Sequence, residues 1–352
     1  MAFLSDLLRR RPARRPAPGG SGAGGTGWAD ALIAAPRHAL ISGADGRALV
    51  WAIEGDASTA TITDQFRANA ETYHQRYAAS DHFEHLFRQA IEATDLKVAP
   101  QPLILDLGSG SGVNSVTPCR RLFPGACIIA TDLSAELLGM LAAYLVDDGG
   151  ADDVLCMKMD AMSEYVAEAA FDLVTGASIL HHLDKPEQGV RAAARALKPG
   201  GHAIFFEPFH GWAMLKLAFQ RVLAEAELRA SPLDPETDRA FRELVHDVTL
   251  RSRLEGRSAP EFAGMDDKWL FSRTRIEMAA AKAGFSGVHV IPHNDHRTLY
   301  RDSTMVHLRL SSGRSDLPVP DWALSIIDEF DAAMTLHAKR ELPVEATIVL
   351  TK

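Results

Sequence analysis

Three glycines at alternate positions, directly after an apolar stretch, constrain this chain more than any other feature. Residues 102–112 read Pro-Leu-Ile-Leu-Asp-Leu-Gly-Ser-Gly-Ser-Gly, an order that predicts a strand, a tight turn and a helix beginning at about Val113. Gly108, Gly110 and Gly112 permit positive φ and leave space for a ligand against the backbone. The N-terminus of the following helix offers N–H groups to a ligand carboxylate. The stretch therefore predicts a small-ligand site.

The spacing of these glycines excludes two common nucleotide-binding loops. A dinucleotide-binding turn needs glycine at its first, third and sixth positions, but the sixth position is Val113 counted from Gly108 and Ser115 counted from Gly110. A P-loop ends in Gly-Lys-Ser/Thr, and residues 102–157 contain no lysine. Asp106, two residues before the first glycine, is placed to accept a hydrogen bond from a cationic amine.

The segment Asp106-Leu-Gly-Ser-Gly-Ser-Gly112 resembles motif I of the class I S-adenosylmethionine-dependent methyltransferases. The resemblance implies an α/β Rossmann-like methyltransferase fold, with a doubly wound, seven-stranded, mostly parallel sheet, an N-terminal helical lid and helical insertions. It implies that Asp106 holds the amino group of the cofactor, often through water. It also implies that the loop, with Ser109 among its glycines, packs on the methionine part of S-adenosylmethionine. A glycine-rich turn that binds no ligand is the alternative.

Two further acids follow predicted strands. Asp132 ends the apolar run 126–131, 20 residues after Gly112, and at this separation an acid with its neighbour Leu133 can bind the hydroxyls of a ribose. Asp160 ends the run 154–159. The resemblance implies that Asp160 accepts from the adenine amino group while the following residues, beginning with Ala161, pack on the ring. For both acids, capping of a following helix is the alternative interpretation.

The loop after the fourth predicted strand, Phe171–Ala177, reads Ser178-Ile-Leu-His-His-Leu183. The resemblance implies that cofactor and acceptor meet here, with Ser178 beside the cofactor. Enzymes that methylate amino groups of nucleic acids carry Asn or Asp, Pro, Pro and an aromatic residue in this loop. That pattern is absent, so base methylation is not expected.

Four side chains are candidates for a general base, which a hydroxyl or acidic carbon acceptor requires. They lie on loops predicted to rim the pocket: His181, His182, Glu207 and His210. For any single one a structural role is the alternative, and His182 and His210 are the preferred candidates. The sequence contains no cluster with metal-ligand spacing, so we expect a metal-independent reaction.

Composition and the family resemblance together predict five segments, of which the lid, the cofactor-binding core and the acceptor-pocket insertion are implied by the resemblance. A Pro- and Gly-rich leader (1–27) comes first, and a hairpin around Asp45-Gly46 with a helical lid that contains Phe66, Tyr73 and Tyr77 follows it (28–98). The cofactor-binding core (99–210) and a helical insertion that builds the acceptor pocket (211–271) come next. The remainder of the core (272–352) contains a helical insertion near 300–342. Tyr73 is the lid residue expected against the cofactor, and for each of the three aromatic residues plain packing of an amphipathic helix on the core is the alternative.

Ser272 and Gly284 predict a helix over 273–283, and a further helix is expected near Trp322 to Lys339. The segment 346–352 resembles the family's antiparallel last strand.

Charge and hydropathy narrow the class of partner. The net charge is −9, yet residues 1–15 carry five arginines and one aspartate, so the rest of the chain is more acidic still. Residues 16–352, with their negative net charge, would repel the phosphate backbone of a nucleic acid. This charge favours a small-molecule acceptor over nucleic acid. No apolar run approaches the roughly 18 residues of a membrane span. Three cysteines without paired spacing indicate a reducing, cytoplasmic location. The oligomeric state stays open.

The combined expectation is methyl transfer from S-adenosylmethionine to a small molecule by in-line displacement, with oxygen favoured over nitrogen or carbon as the acceptor atom. A cofactor-binding sensor or partner protein without catalysis is the alternative. An aminopropyltransferase is disfavoured because pocket carboxylates for a polyamine are not evident, and a nicotinamide oxidoreductase is disfavoured by Val113.

Overall fold

The computed structural model describes most of the chain. The described residues are 26–56, 81–253, 262, 265–293, 298–314 and 316–352. The candidate lid residues Phe66, Tyr73 and Tyr77, and nearly all of the predicted leader, lie outside these ranges. The described residues divide into two compact units. The first comprises those within Met1–Phe205, Glu277–His289 and Ile348–Lys352, and the second Phe206–Ile276 and Val290–Thr347.

Nine strands of the described chain form one sheet, in the order β1-β2-β5-β4-β3-β6-β7-β9-β8. Their bounds are β1 Arg37–Ser42, β2 Ala48–Ile53, β3 Leu103–Leu107, β4 Cys127–Asp132, β5 Val154–Lys158, β6 Phe171–Ala177, β7 Leu197–Pro208, β8 Gly287–Pro292 and β9 Glu345–Thr351. Strand β3 pairs in parallel with β4 and β6, and β5 pairs in parallel with β4 and β2. The Rossmann-like fold is confirmed, but the predicted number of seven strands is wrong.

The two additional strands come from the N-terminal hairpin. Strands β1 and β2 pair in antiparallel orientation around a turn that contains Gly46 at φ 79°. Val50 and Ala52, on one face of β2, are buried at 0% and 8% exposed. Because β2 has this apolar face, it pairs with β5 and extends the sheet. The described hairpin is therefore part of the sheet, and the predicted N-terminal lid is not confirmed.

The last strand runs against its neighbours. The N–H of Phe209 donates to the carbonyl of Val344, just beyond one end of β7, and the N–H of Lys352 donates to the carbonyl of Gly201 near its other end. The pairing therefore proceeds in opposite directions along β7 and β9. The predicted antiparallel last strand is confirmed.

Four helices lie between the strands of the first unit, and a fifth, α7, crosses from the second unit into the first. They are α1 His82–Thr94, α2 Val116–Leu122, α3 Ala135–Asp147, α4 Pro186–Ala196 and α7 Arg273–Ala283. Helix α7 matches its predicted bounds because both of its ends carry local signals. The Ser272 hydroxyl accepts a hydrogen bond from the N–H of Arg275 at 3.2 Å, and Gly284 follows at φ 84°.

Five further helices belong to the second unit: α5 Trp212–Leu228, α6 Pro235–Arg251, α8 Leu299–Ser312, α9 Asp321–Ala333 and α10 Leu336–Glu341. Four of them, α5, α6, α8 and α9, share a core in which the rings of Phe219 and Phe241 meet edge to face, 5.4 Å apart. A single helix predicted near 322–339 is two helices instead. The Thr335 side chain accepts from the N–H of Ala338 and so starts a new helix at Leu336.

Candidate functional site

The glycine-rich loop after β3 has the backbone that its sequence predicts. Gly108, Gly110 and Gly112 have φ of 67°, 53° and 79°. A Cβ on Gly108 would lie 2.5 Å from Cδ1 of Ile179, and a Cβ on Gly112 would overlap Leu141. A Cβ on Gly110 would meet only one leucine methyl carbon, at 3.9 Å. Packing therefore requires two of the glycines, whereas the space beside Gly110 leaves room for a ligand.

Ser109, a predicted cofactor contact, faces the protein. Its side chain is buried, its N–H donates to the carbonyl of Thr131 at 2.7 Å, and its hydroxyl contacts the carbonyl of Asp106 at 3.3 Å. The Ser109 hydroxyl could therefore donate to a cofactor only if its bond to Asp106 rearranged.

The helix after the loop starts three residues later than predicted. Helix α2 begins at Val116, and Ser115 occupies its N-cap position without a capping hydrogen bond. The Ser115 hydroxyl instead donates to Oδ2 of Asp106 at 2.6 Å. Because a buried carboxylate takes the capping hydroxyl, residues 113–115 remain a turn.

Asp106 is fully enclosed at the end of β3, with 1% of its surface exposed. Its Oδ2 accepts from Ser115, and its Oδ1 accepts from the hydroxyl of Thr175 at 2.6 Å. Burial raises the pKa of Asp106 to about 6, although the surrounding serine and threonine hydroxyls favour its ionised form. The negative charge of Asp132 raises this pKa further.

Asp132 connects the loop to the end of β4. Its Oδ2 accepts from the N–H of Gly110 at 2.8 Å, and its Oδ1 accepts from the N–H of Ser134 at 2.7 Å. Burial raises the pKa of this carboxyl group. The cap of α3 is Ser134, whose hydroxyl accepts from the N–H of Leu137 at 3.1 Å, so the helix-cap interpretation of Asp132 is wrong. Asp132 and its neighbour Leu133 are both partly exposed.

Asp160 follows β5, the next strand in the sheet. It is 8% exposed and Ala161 is 6% exposed. Asp160 Oδ1 accepts from the N–H of Met162 at 2.8 Å, and residues 161–170 form turns and irregular backbone. The helix-cap alternative for Asp160 is therefore also wrong.

The acids and the loop fit a ligand with a cationic amine and hydroxyl groups. Asp106, Asp132 and Asp160 lie at the ends of three neighbouring parallel strands, which meet at one edge of the sheet. The Ser111 hydroxyl, between Gly110 and Gly112, is buried and has no hydrogen-bond partner among the described residues. Carboxylates accept from ammonium and hydroxyl groups, and a buried hydroxyl needs a partner.

The loop after β6 is held against the glycine-rich loop by a residue that the sequence does not single out. Ser178 has φ 61°, a left-handed backbone that is rare outside glycine. The next residue, Ile179, fills the space beside Gly108, and a Cβ on Gly176 would lie 2.6 Å from its Cγ2. The spaces beside two glycines therefore determine where this loop lies.

The paired histidines lie in a 3-10 helix, Leu180–His182, of the first unit. Their ring centroids are 4.0 Å apart. His181 is buried at 6% exposed and His182 is partly exposed. His182 is thus the more accessible of the two to a bound molecule.

Glu207 and His210 belong to the second unit. Glu207 is 2% exposed near the end of β7. His210 is partly exposed, and its backbone N–H donates to the carbonyl of Phe271 at 2.9 Å. Burial lowers the pKa of His210, and the positive charge of Arg275 lowers it further. His210 is therefore neutral near pH 7, the form that accepts a proton.

Residues 105–205, from β3 into β7, match the family model described as "Methyltransferase domain". The match includes the glycine-rich loop, the three acids and the two adjacent histidines. This chain contains a class I S-adenosylmethionine-dependent methyltransferase domain. The predicted family is confirmed, and S-adenosylmethionine is the cofactor of the methyltransferase domain.

Relatives of the methyltransferase domain cover different shares of the chain. A ubiquinone biosynthesis O-methyltransferase of Idiomarina loihiensis is 32% identical over 124 residues, 34% of this chain and 49% of that protein. An uncharacterised protein of Synechococcus sp. is 26% identical over 284 residues, 68% of this chain and 66% of that protein. The match therefore spans about half the length of the Idiomarina relative.

Among solved structures, phosphoethanolamine N-methyltransferase 2 of Haemonchus contortus, in complex with S-adenosyl-L-methionine, is similar to this chain with a TM-score of 0.43 and 17% identity. The match covers 80% of this chain and 60% of the Haemonchus chain. Within the described ranges, every helix is too short or too polar to traverse a lipid bilayer.

Proposed function

We propose that this protein transfers a methyl group from S-adenosylmethionine to a small-molecule acceptor, with oxygen favoured over nitrogen or carbon. The observation that carries the proposal is the glycine-rich loop, which is open beside Gly110 and bonded to Asp132. The name of the Idiomarina relative, an O-methyltransferase, supports oxygen as the acceptor atom.

Residues at the ends of the strands would hold the cofactor. Asp106 would accept from its amino group, and Asp132 from its ribose hydroxyls. An ionised carboxylate has about four acceptor sites. The backbone N–H groups of Gly110, Ser134 and Leu133 donate to Asp132, which leaves acceptor capacity for a ribose hydroxyl. Asp160 and Ala161 would line the adenine, and Leu133 and Ser178 would complete the site.

S-adenosylmethionine, when bound, supplies a methyl group on a positively charged sulfur that is already a good electrophile. The protein then has to orient the acceptor and exclude water. Removal of a proton from a hydroxyl acceptor would fall to a ring nitrogen of His182 or His210, both partly exposed. We assign buried His181 and Glu207 to support of the neighbouring side chains rather than to proton transfer.

The acceptor is proposed to be a small molecule and not nucleic acid. The acidic chain beyond the first 15 residues repels a phosphate backbone, and the loop Ser178–Leu183 lacks the pattern of enzymes that methylate nucleic acid bases. The insertion 211–271 is proposed to form the acceptor pocket, and the reaction is proposed to need no metal and to take place in the cytoplasm. Activity that survives a chelator would support metal independence.

The proposal is tested with the purified full chain. We expect calorimetry to detect one equivalent of bound S-adenosylmethionine or its demethylated product, and transfer of a labelled methyl group to phenolic acceptors in preference to amines. Binding without transfer to any acceptor in a broad panel would favour the sensor alternative. Absence of binding to either molecule would overturn the proposed function, and transfer to RNA or DNA would overturn the acceptor class.

A further inference from the structure

The hydroxyl groups of Ser109, Ser115 and Thr175 surround the Asp106 carboxylate, which would bind the cofactor in the proposed function, and those of Ser115 and Thr175 donate directly to its two oxygens. We infer that Thr175 and Ser115 are positioning residues, which fix both oxygens of the Asp106 carboxylate so that it accepts from the cofactor's ammonium group. This inference rests on the proposed function and adds residues to its cofactor site.

The geometry leaves the carboxylate little freedom. Thr175 on β6 pairs in register with Asp106 on β3, so their side chains emerge on the same face of the sheet. Thr175 Oγ1 donates to Oδ1 and Ser115 Oγ donates to Oδ2, both at 2.6 Å, and both donors are at most 1% exposed. One bond to each oxygen fixes the plane of the carboxylate as well as its position.

The donors also determine the charge of the carboxylate. Hydroxyl groups that donate to a carboxylate stabilise the ionised form, whereas burial destabilises it. Each oxygen retains acceptor capacity for an ammonium group. Without the Thr175 hydroxyl, Asp106 would be protonated to a higher pH, and a neutral carboxyl group attracts a cation less than a carboxylate does.

Two other titratable groups face Asp106. Asp132 raises the pKa of Asp106, while its own pKa is raised by burial. The thiol of Cys119 has its pKa raised by burial and then by the charge of Asp106, so it stays neutral between pH 5 and 7.5. Of the two carboxyl groups, only Asp106 accepts from the Thr175 hydroxyl, and its pKa of about 6 lies within this range.

Thr131 provides a matched control. Like Thr175 it is a threonine with 0% exposure on a strand beside β3, and its hydroxyl also donates to Asp106, at 2.8 Å. Its acceptor is the backbone carbonyl of Asp106 rather than the carboxylate. Thr131→Val and Thr175→Val thus remove equally buried hydroxyls that bond to the same residue.

The experiment measures the Kd of S-adenosylmethionine by calorimetry between pH 5 and 7.5 for the full chain and its variants. In the natural protein we expect binding to weaken as the pH falls and Asp106 gains a proton. We expect Thr175→Val to weaken binding about tenfold at pH 7, the size of one hydrogen bond to a charged group. The variant should also raise the midpoint, which is the pH at which half of the pH-dependent loss of binding has occurred. Thr175→Ser, which keeps the hydroxyl, should have the affinity and the midpoint of the natural protein. Thr131→Val should leave the midpoint unchanged.

Ser115→Ala is predicted to move the midpoint in the same direction, and it carries the test if Thr175→Val fails to fold. Equal midpoints for all four variants and the natural protein would overturn the positioning role while leaving the proposed function intact. A natural protein that binds no S-adenosylmethionine at any pH would instead overturn the proposed function.

Discussion

The backbone N–H of Gly110 donates to Oδ2 of Asp132 at 2.8 Å, so the acid at the end of β4 determines where the glycine-rich loop lies. The same carboxylate accepts from the N–H of Ser134 through its other oxygen. One side chain thereby connects the loop, the strand and the start of α3. A ligand that binds to Asp132 would therefore contact a group already aligned with the loop.

Replacing this carboxylate should affect binding more than folding. We expect Asp132→Asn to weaken S-adenosylmethionine binding at least about tenfold, because an amide has one acceptor atom for two backbone N–H donors and a negative charge is lost. Asp148→Asn is the control, since Asp148 pairs with Arg120 on the surface and exposed pairs contribute little. Calorimetry measures both, and equal affinities would contradict the role of Asp132.

The open side of Gly110 can be tested by adding one methyl group. Gly110→Ala places a Cβ where a ligand should approach, and φ 53° also strains the backbone by about 1–2 kcal/mol. Gly149 is a matched control, because it has φ 70° and no neighbouring atom within 4 Å of an added Cβ. We expect both variants to lose similar free energy of unfolding, measured in urea, and only Gly110→Ala to lose cofactor binding. Unchanged binding would place the ligand elsewhere.

Asp106 predicts a pH dependence of stability in the ligand-free protein. Its pKa of about 6 exceeds its ordinary value of 3.8, so the folded state holds the proton more tightly than the unfolded state. The native state is therefore penalised as the pH rises from about 4 to 6, by up to about 3 kcal/mol. Relative to Asp106→Asn, the natural protein should become less stable across this interval in urea denaturation. If the natural protein instead became more stable than Asp106→Asn as the pH rose from about 4 to 6, Asp106 would be ionised at low pH.

The second unit contains a buried ion pair whose removal should be costly. Lys339 and Asp331 contact each other at 2% exposure each, beside the ring of Tyr300. Lys339→Met leaves Asp331 buried without its counter-charge, and we expect a loss of about 3–5 kcal/mol in the free energy of unfolding. Arg340→Met changes the adjacent, exposed cation and should change stability by less than about 1 kcal/mol. Equal losses would contradict the importance of burial.

The proposed bases can be distinguished from other histidines by kinetics. If His182 or His210 accepts the acceptor's proton, its replacement by Gln should lower kcat about 10²–10⁴-fold while S-adenosylmethionine still binds. His202→Gln is the control, because burial also lowers the pKa of His202 but its ring contacts Thr351 in the sheet. A normal kcat in both candidate variants would exclude a histidine base at these positions.

The sequence predicts the features that depend on neighbouring residues. The left-handed backbone at Gly108, Gly110 and Gly112 follows from the spacing of the glycines. Helix α7 follows from Ser272 before it and Gly284 after it. In each case the chemistry that determines the structure lies within one turn of the chain.

The features that the sequence does not reveal depend on distant residues. The hydroxyl of Thr175 meets Asp106 across 69 positions, and nothing near either residue indicates the pairing. Strand β2 pairs with β5, about 100 residues away, and this pairing increases the number of strands beyond seven. The division between α9 and α10 had a local signal, since Thr335 is a good N-cap residue, but the apolar pattern runs across it.

The hairpin also changes which backbone is available for association with other chains. Without it, β5 would present a regular parallel edge, whereas the outermost strand is now β1. Its pairing with β2 shifts register on both sides of Ile41. A strand with such irregularities is a poor template for strand addition, so the sheet ends in an edge that discourages fibril-like growth.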